Sequence, residues 1–114
     1  MQRFISSYVG VDQGQVVMFS DYESNGPMWT GRGEREVRKK ITFSEPFSAT
    51  PAVQTHFMMW DISNGSISRI DLNAVDVTPK GFTIVVRTWG DTRIARVRIS
   101  WQAIGMVDPE AWDI

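Results

Sequence analysis

The chain is 114 residues long, with 42% hydrophobic and 22% charged residues and a formal net charge of -1. That length fits one domain burying roughly two-thirds of its extended-chain surface, and the charge balance points to neither nucleic acid nor a membrane surface as a partner. With no cysteine, disulfides, thiolate metal sites and cysteine nucleophiles are excluded, and the fold does not depend on an oxidising compartment.

The opening MQRFISSYVGVDQGQ carries one arginine but no apolar h-region, and no later run is long and apolar enough for a membrane-spanning helix. Membrane insertion is therefore not expected. A cytoplasmic chain, export by a non-classical route and a leader absent from this sequence all remain open. QVVMF reads as a short strand. Residues 20–34, SDYESNGPMWTGRGE, are rich in Gly, Pro, Ser and Asn and read as a long ordered loop of the same domain.

EVRKKITF places Val37, Ile41 and Phe43 on one face of a strand, and SEPFSATP then breaks the pattern with two prolines. AVQTHFMMW is an apolar-leaning strand that ends at Asp61. Asn64-Gly65-Ser66 fits the glycosylation pattern, but Asn-Gly reads better as a type I′ hairpin turn. SRIDLNAVDV, the turn TPKG and FTIVVRTW follow, and Gly90-Asp91 reads as a two-residue hairpin turn into RIARVRISW. In that last strand Ala95, Val97, Ile99, Trp101 and Ala103 alternate with Arg96, Arg98, Ser100 and Gln102, the period of two that gives one dry face and one wet face.

Six short strands at this spacing, with no sustained helical period and no internal repeat, predict an all-β, six-stranded antiparallel β-sandwich. Residues 1–34 supply an N-terminal strand and the long loop, residues 35–105 the sandwich core, and residues 106–114 an acidic tail that leaves the domain body.

The residues do not compose an enzyme. The one histidine, His56, lies in a strand run without an obvious orienting partner, and neither GxSxG nor HExxH occurs. The carboxylates are scattered over turns and the tail, no helix follows GRGERE to make a phosphate cradle, and no cofactor or metal is implied. The basic cluster RGEREVRKK, residues 32–40, reads as the solvated face of an edge strand, where lysines deter edge-to-edge pairing; a phosphate-facing patch is the sharper alternative.

Five tryptophans in so short a chain is a high count. Trp101 falls on the inward face of its strand. Trp60 ends an apolar run, Trp29 sits in the long loop and Trp112 in the tail, and each is accounted for by packing within the domain or against a neighbouring copy of the chain. Trp89 is different, because it precedes a tight turn with Arg87 and Arg93 close in sequence. An exposed aromatic ring flanked by charged groups is what a sugar site requires: the apolar face of a pyranose lies on the ring while charged groups hydrogen-bond the hydroxyls.

ITFSEPFSATPAV, the strand ending in Asp61, Arg69, and VTPKGFTIVVRTWGDTRIARVRISWQAIG together resemble the H-type lectin domain, the carbohydrate-binding module of snail agglutinins and of the C-terminal half of discoidins. The resemblance covers about residues 35–105 and rests on I-T-F-x-x-P-F, T/P-x-V, V-x-P-x-G-F, T-W-x-x-T-x-I and a final I-S-W in combination. It implies a sandwich that assembles as a homotrimer, sometimes as stacked trimers forming a hexamer. It also implies metal-free sites near the subunit interfaces for N-acetylgalactosamine or galactose, and a role in cell adhesion. The family's sugar-contacting arginine matches Arg69 and its sugar-contacting tryptophan matches Trp89.

Three positions depart from the family pattern. The loop that carries the family's binding aspartate reads GRGERE here, leaving Glu34 as the substitute if the loop shifts. Gly90 stands where snail agglutinins have a histidine that reaches a neighbouring subunit's sugar, and Ala95 replaces an aromatic ligand. The expectation is a non-catalytic, multivalent carbohydrate-binding protein that uses Arg69, Trp89 and Glu34. The alternative is a structural or protein-interaction module that keeps the fold and has lost or altered sugar binding, with Arg69 lying beside an aromatic ring as a structural cation–π contact.

Overall fold

The alternating run that closes the chain forms the central strand of one of two antiparallel sheets. The computed structural model describes residues 1–5 and 8–109; Trp112 and most of the expected acidic tail lie outside the described residues. The strands are β1 (Val9–Phe19), β2 (Arg35–Thr42), β3 (Ala52–Ile62), β4 (Asp71–Thr78), β5 (Gly81–Thr88) and β6 (Ile94–Met106). One sheet has the order β1-β6-β3 and the other β2-β5-β4, so the six-stranded, two-sheet all-β architecture matches the expectation.

The inward face of β6 is as its alternation requires. Val97, Ile99 and Ala103 are fully buried and Trp101 is nearly so, while Arg96, Arg98 and Gln102 are exposed. These side chains meet Ile84 and Val86 of β5 in one core cluster, each buried valine or isoleucine contributing roughly 1.5–3 kcal/mol. At one end of the core the rings of Phe43, Phe47, Phe82 and Trp101 pack with centroids 5.0–5.9 Å apart. Gly14, opposite Trp101 in the β1–β6 ladder, leaves room for the indole, because a Cβ there would come to 2.8 Å from its Nε1.

Two hairpin expectations are corrected. Gly90-Asp91 is not a hairpin turn: Thr88 pairs with Arg35 in one sheet and Ile94 with Ile62 in the other, so residues 89–93 cross between sheets. Gly90 has φ +68 but Asp91 does not share the positive φ that a type I′ turn needs at both positions. Asn64-Gly65 likewise makes a turn without positive φ, and β3 and β4 lie in different sheets, so it too joins sheets rather than paired strands. The hairpin is instead β4–β5, closed by Pro79-Lys80 with Thr78 opposite Gly81.

The long loop contains two single-turn helices, α1 (Asp21–Ser24) and α2 (Pro27–Thr30). One turn is too short for a helical period to show. Asn25 ends α1 in the left-handed region, Pro27 opens α2, and the Asp21 carboxylate accepts a 2.9 Å hydrogen bond from the Met28 N–H. Fully buried Met28 ties this segment to the core.

Candidate functional site

Three connections meet at one end of the sandwich: residues 63–70 between β3 and β4, residues 89–93 between β5 and β6, and residues 31–34 leading into β2. Two fully buried threonines bind the first two together. The Thr88 hydroxyl donates to the Arg69 carbonyl and the Thr92 hydroxyl donates to the Ile67 carbonyl at 2.6 Å. An extended connection has no ladder to satisfy its carbonyls, and these hydroxyls do so from either side of the Trp89–Asp91 turn.

The arrangement brings Arg69 against the turn. Its Nη1 donates to Asp91 Oδ1 at 2.9 Å and to Thr92 Oγ1 at 3.2 Å. The guanidinium lies against Gly90, where an added Cβ would stand 3.0 Å from Nη1. Glycine therefore serves twice here, through its positive φ and through the close approach of the arginine. The hydrogen bond from Arg69 lowers the pKa of Asp91 below the ordinary aspartate value, so the carboxylate is ionised at neutral pH and below.

Trp89 is 37% exposed, and the Arg87 guanidinium lies over its ring at 5.0 Å from the centroid. Glu34 accepts a 2.8 Å hydrogen bond from Arg87 Nη1. Glu34 thus joins the Trp89 side through Arg87 and pairs with Arg87 rather than with Arg69. The carboxylate paired with Arg69 is Asp91, which sequence reasoning took for a turn residue.

Arg35, read in the sequence as part of a solvated basic face, is an organiser instead. It donates to the carbonyls of Pro27, Met28, Gly33 and Gly90, and the Gly33 N–H donates to the same Gly90 carbonyl at 2.9 Å. Partial burial lowers its pKa, yet a guanidinium remains charged throughout the physiological range. The rest of the cluster fits an edge strand: β2 lies at the edge of its sheet, Arg38 pairs with Glu36, and Lys39 donates to the Val17 carbonyl.

On the other side of Asp91, the Arg93 guanidinium stacks on Trp29 at 4.2 Å and its Nε donates to the Trp29 carbonyl at 2.9 Å. Tyr22 meets Trp29 edge-on at 5.2 Å. Trp60 is 59% exposed, with an edge contact to Phe57 at 5.6 Å, and lies on β3. His56 is exposed on the outer face of the β1-β6-β3 sheet, opposite Ser100 and beside Gln15 and Gln54, apart from the Arg69–Asp91 pair. Among the described residues no group of three or more His, Asp or Glu could hold a metal ion, and no helix is long and apolar enough to cross a membrane.

The H-type lectin domain profile matches residues 38–104. A protein of Fuscovulum blasticum named ATP synthase subunits region ORF 7 is 53% identical over 111 residues, which is 96% of each chain. A discoidin-1 polypeptide of Dictyostelium discoideum is 30% identical over 78 residues, or 68% of this chain and 31% of that protein. The chain thus spans about a third of that relative's length. Among solved structures, recombinant discoidin II of the same organism superposes with a TM-score of 0.73 at 22% identity, over 91% of this chain and 40% of discoidin II. The tailspike protein gp49 of Pseudomonas phage LKA1 gives a TM-score of 0.53 at 17% identity, over 88% of this chain and 15% of that one. At these identities the two structures speak to the fold alone.

Proposed function

The chain belongs to the H-type lectin domain family, a family of non-catalytic binding domains, and from that membership we propose that it is a multivalent carbohydrate-binding protein taking galactose or N-acetylgalactosamine-type glycans. One observation carries this reading: Arg69 lies against Gly90, next in the chain to half-exposed Trp89, and Asp91 supplies a carboxylate beside them. The ring of Trp89 offers an apolar wall to a sugar face or to an acetamido methyl. The Arg69 fork donates to hydroxyl oxygens and the second oxygen of Asp91 accepts from a hydroxyl. Glu34 acts from the far side by holding Arg87 over the tryptophan.

Shallow single sites of this kind gain useful strength through repetition, so the reading includes self-assembly as a homotrimer or a hexamer, able to bridge glycan-bearing surfaces as in cell adhesion. Binding needs neither metal nor cofactor.

A second reading has its own observation. Arg69 is already paired with Asp91, and Arg87 already covers part of Trp89. A protein-interaction module that has lost its sugar would show the same satisfied groups. A glycan array separates the two. Signal on galactose-type glycans that is absent from Arg69→Ala and Trp89→Ala supports the lectin, and no signal for the unmodified protein at high concentration supports the module.

A further inference from the structure

Beside the Arg69–Asp91 pair lies a cleft of about 250 Å³ lined by Thr30, Gly31, Arg32, Asp91 and Arg93. Its charge is lopsided. Asp91 is the one carboxylate in the lining; it is held by Arg69 from outside the cleft and also feels the charge of Arg32, so two arginines face a single carboxylate that is already hydrogen-bonded elsewhere. The Thr30 hydroxyl donates to the carbonyls of Asn25 and Gly26, and the Gly31 N–H donates to Pro27, so neither group is free to bind an anion.

The guanidiniums are therefore the donors that remain. Arg93 is held in place by its stack on Trp29 and by its Nε bond to the Trp29 carbonyl, and neither contact uses its Nη groups. A guanidinium fixed in this way loses little rotamer freedom when it binds, and its terminal fork matches the paired oxygens of a sulfate or carboxylate. The cleft is smaller than the ~300–1,000 Å³ typical of whole-ligand sites, so it suits a substituent of a ligand seated next door.

We infer that Arg32 and Arg93 form an anion subsite adjoining the Arg69–Trp89 site, taking a sulfate or carboxylate group carried by a galactose-type glycan. This rests on the lectin reading for its neighbouring sugar and adds a preference for acidic over neutral glycans. Asp91 is shared between the two: it orients Arg69 on one side and borders the cleft on the other, where its charge disfavours an anion placed away from the arginines.

The test compares galactose, sulfated galactose, a sialylated galactoside and a single-stranded DNA oligonucleotide by titration calorimetry. The proteins are the unmodified chain, Arg32→Ala, Arg93→Ala and the milder Arg93→Lys, with thermal melts to confirm folding. Expected is about tenfold tighter binding of an acidic galactoside than of galactose at low salt, an advantage that shrinks as salt rises. Arg32→Ala and Arg93→Ala should each erase that advantage while leaving galactose binding intact, and the better of the two acidic sugars identifies the substituent.

Equal affinity for neutral and acidic galactosides would overturn the subsite and leave the lectin reading standing. An acidic advantage that survives both alanine variants would overturn it as well, and oligonucleotide binding equal to that of the acidic sugar would replace it with a general anion patch. Arginine-dependent binding of acidic sugars by a protein that ignores galactose would instead remove the neutral-sugar site and keep the subsite.

Discussion

Gly90 has a backbone and a neighbour that both exclude a side chain. In Gly90→Ala the added methyl sits at positive φ and presses on Arg69 Nη1. The expected outcome is a loss of about 1 kcal/mol of stability, read as a fall of roughly 4 °C in melting temperature, together with weaker sugar binding as Arg69 is displaced. For Asp91 the sign of the pH dependence follows from its lowered pKa. The ion pair is fully present above the unfolded-state aspartate value of about 4 and is lost only as pH falls through the lower folded value. Binding measured from pH 8 downward should stay flat to about pH 5, and a decline beginning near pH 6 would contradict an Asp91 origin. The residue-scale roles were unevenly legible. Trp89 and Arg69 stood out by resemblance, whereas Asp91 did not, because its partner lies 22 positions earlier in a connection with no periodicity.

The elements were legible where a dry face and a wet face alternate. β6 shows this in its sequence, and runs of β-forming residues divided by turns mark all six strands, although the run QVVMF marks only the second half of β1, which begins at Val9. The connections were not, since local turn chemistry is the same whether a turn closes a hairpin or a corner between sheets. Only the pairing of Thr88 with Arg35 and of Ile94 with Ile62 tells them apart. The two buried threonines hold that corner. Thr92→Val should leave the Ile67 carbonyl with only the long 3.4 Å bond from Arg69 Nη1 in place of its 2.6 Å bond from the hydroxyl and cost about 1–3 kcal/mol, measured by urea unfolding, while Thr92→Ser should restore most of it. Within β6, Ile99→Ala removes a fully buried side chain between the sheets and should cost about 2–5 kcal/mol by the same measurement. A loss under about 0.5 kcal/mol would mean that the core does not close there.

At the scale of the whole molecule, the two sheets place three connections at one end, so residues as distant in sequence as Glu34, Arg69 and Asp91 come to serve one surface. The proposed multivalency belongs here too. Light scattering should return a trimer of the 13.0 kDa chain or a multiple of one, and a clean monomer would contradict the assembly. The central claim is that Arg69 and Trp89 bind a galactose-type sugar, and titration of N-acetylgalactosamine and galactose into the protein and its Arg69→Ala and Trp89→Ala variants tests it most directly. The account predicts saturable binding to the unmodified protein that falls by about tenfold or more in each variant with little change in melting temperature; binding that is absent from the unmodified protein, or equal in all three, would contradict it.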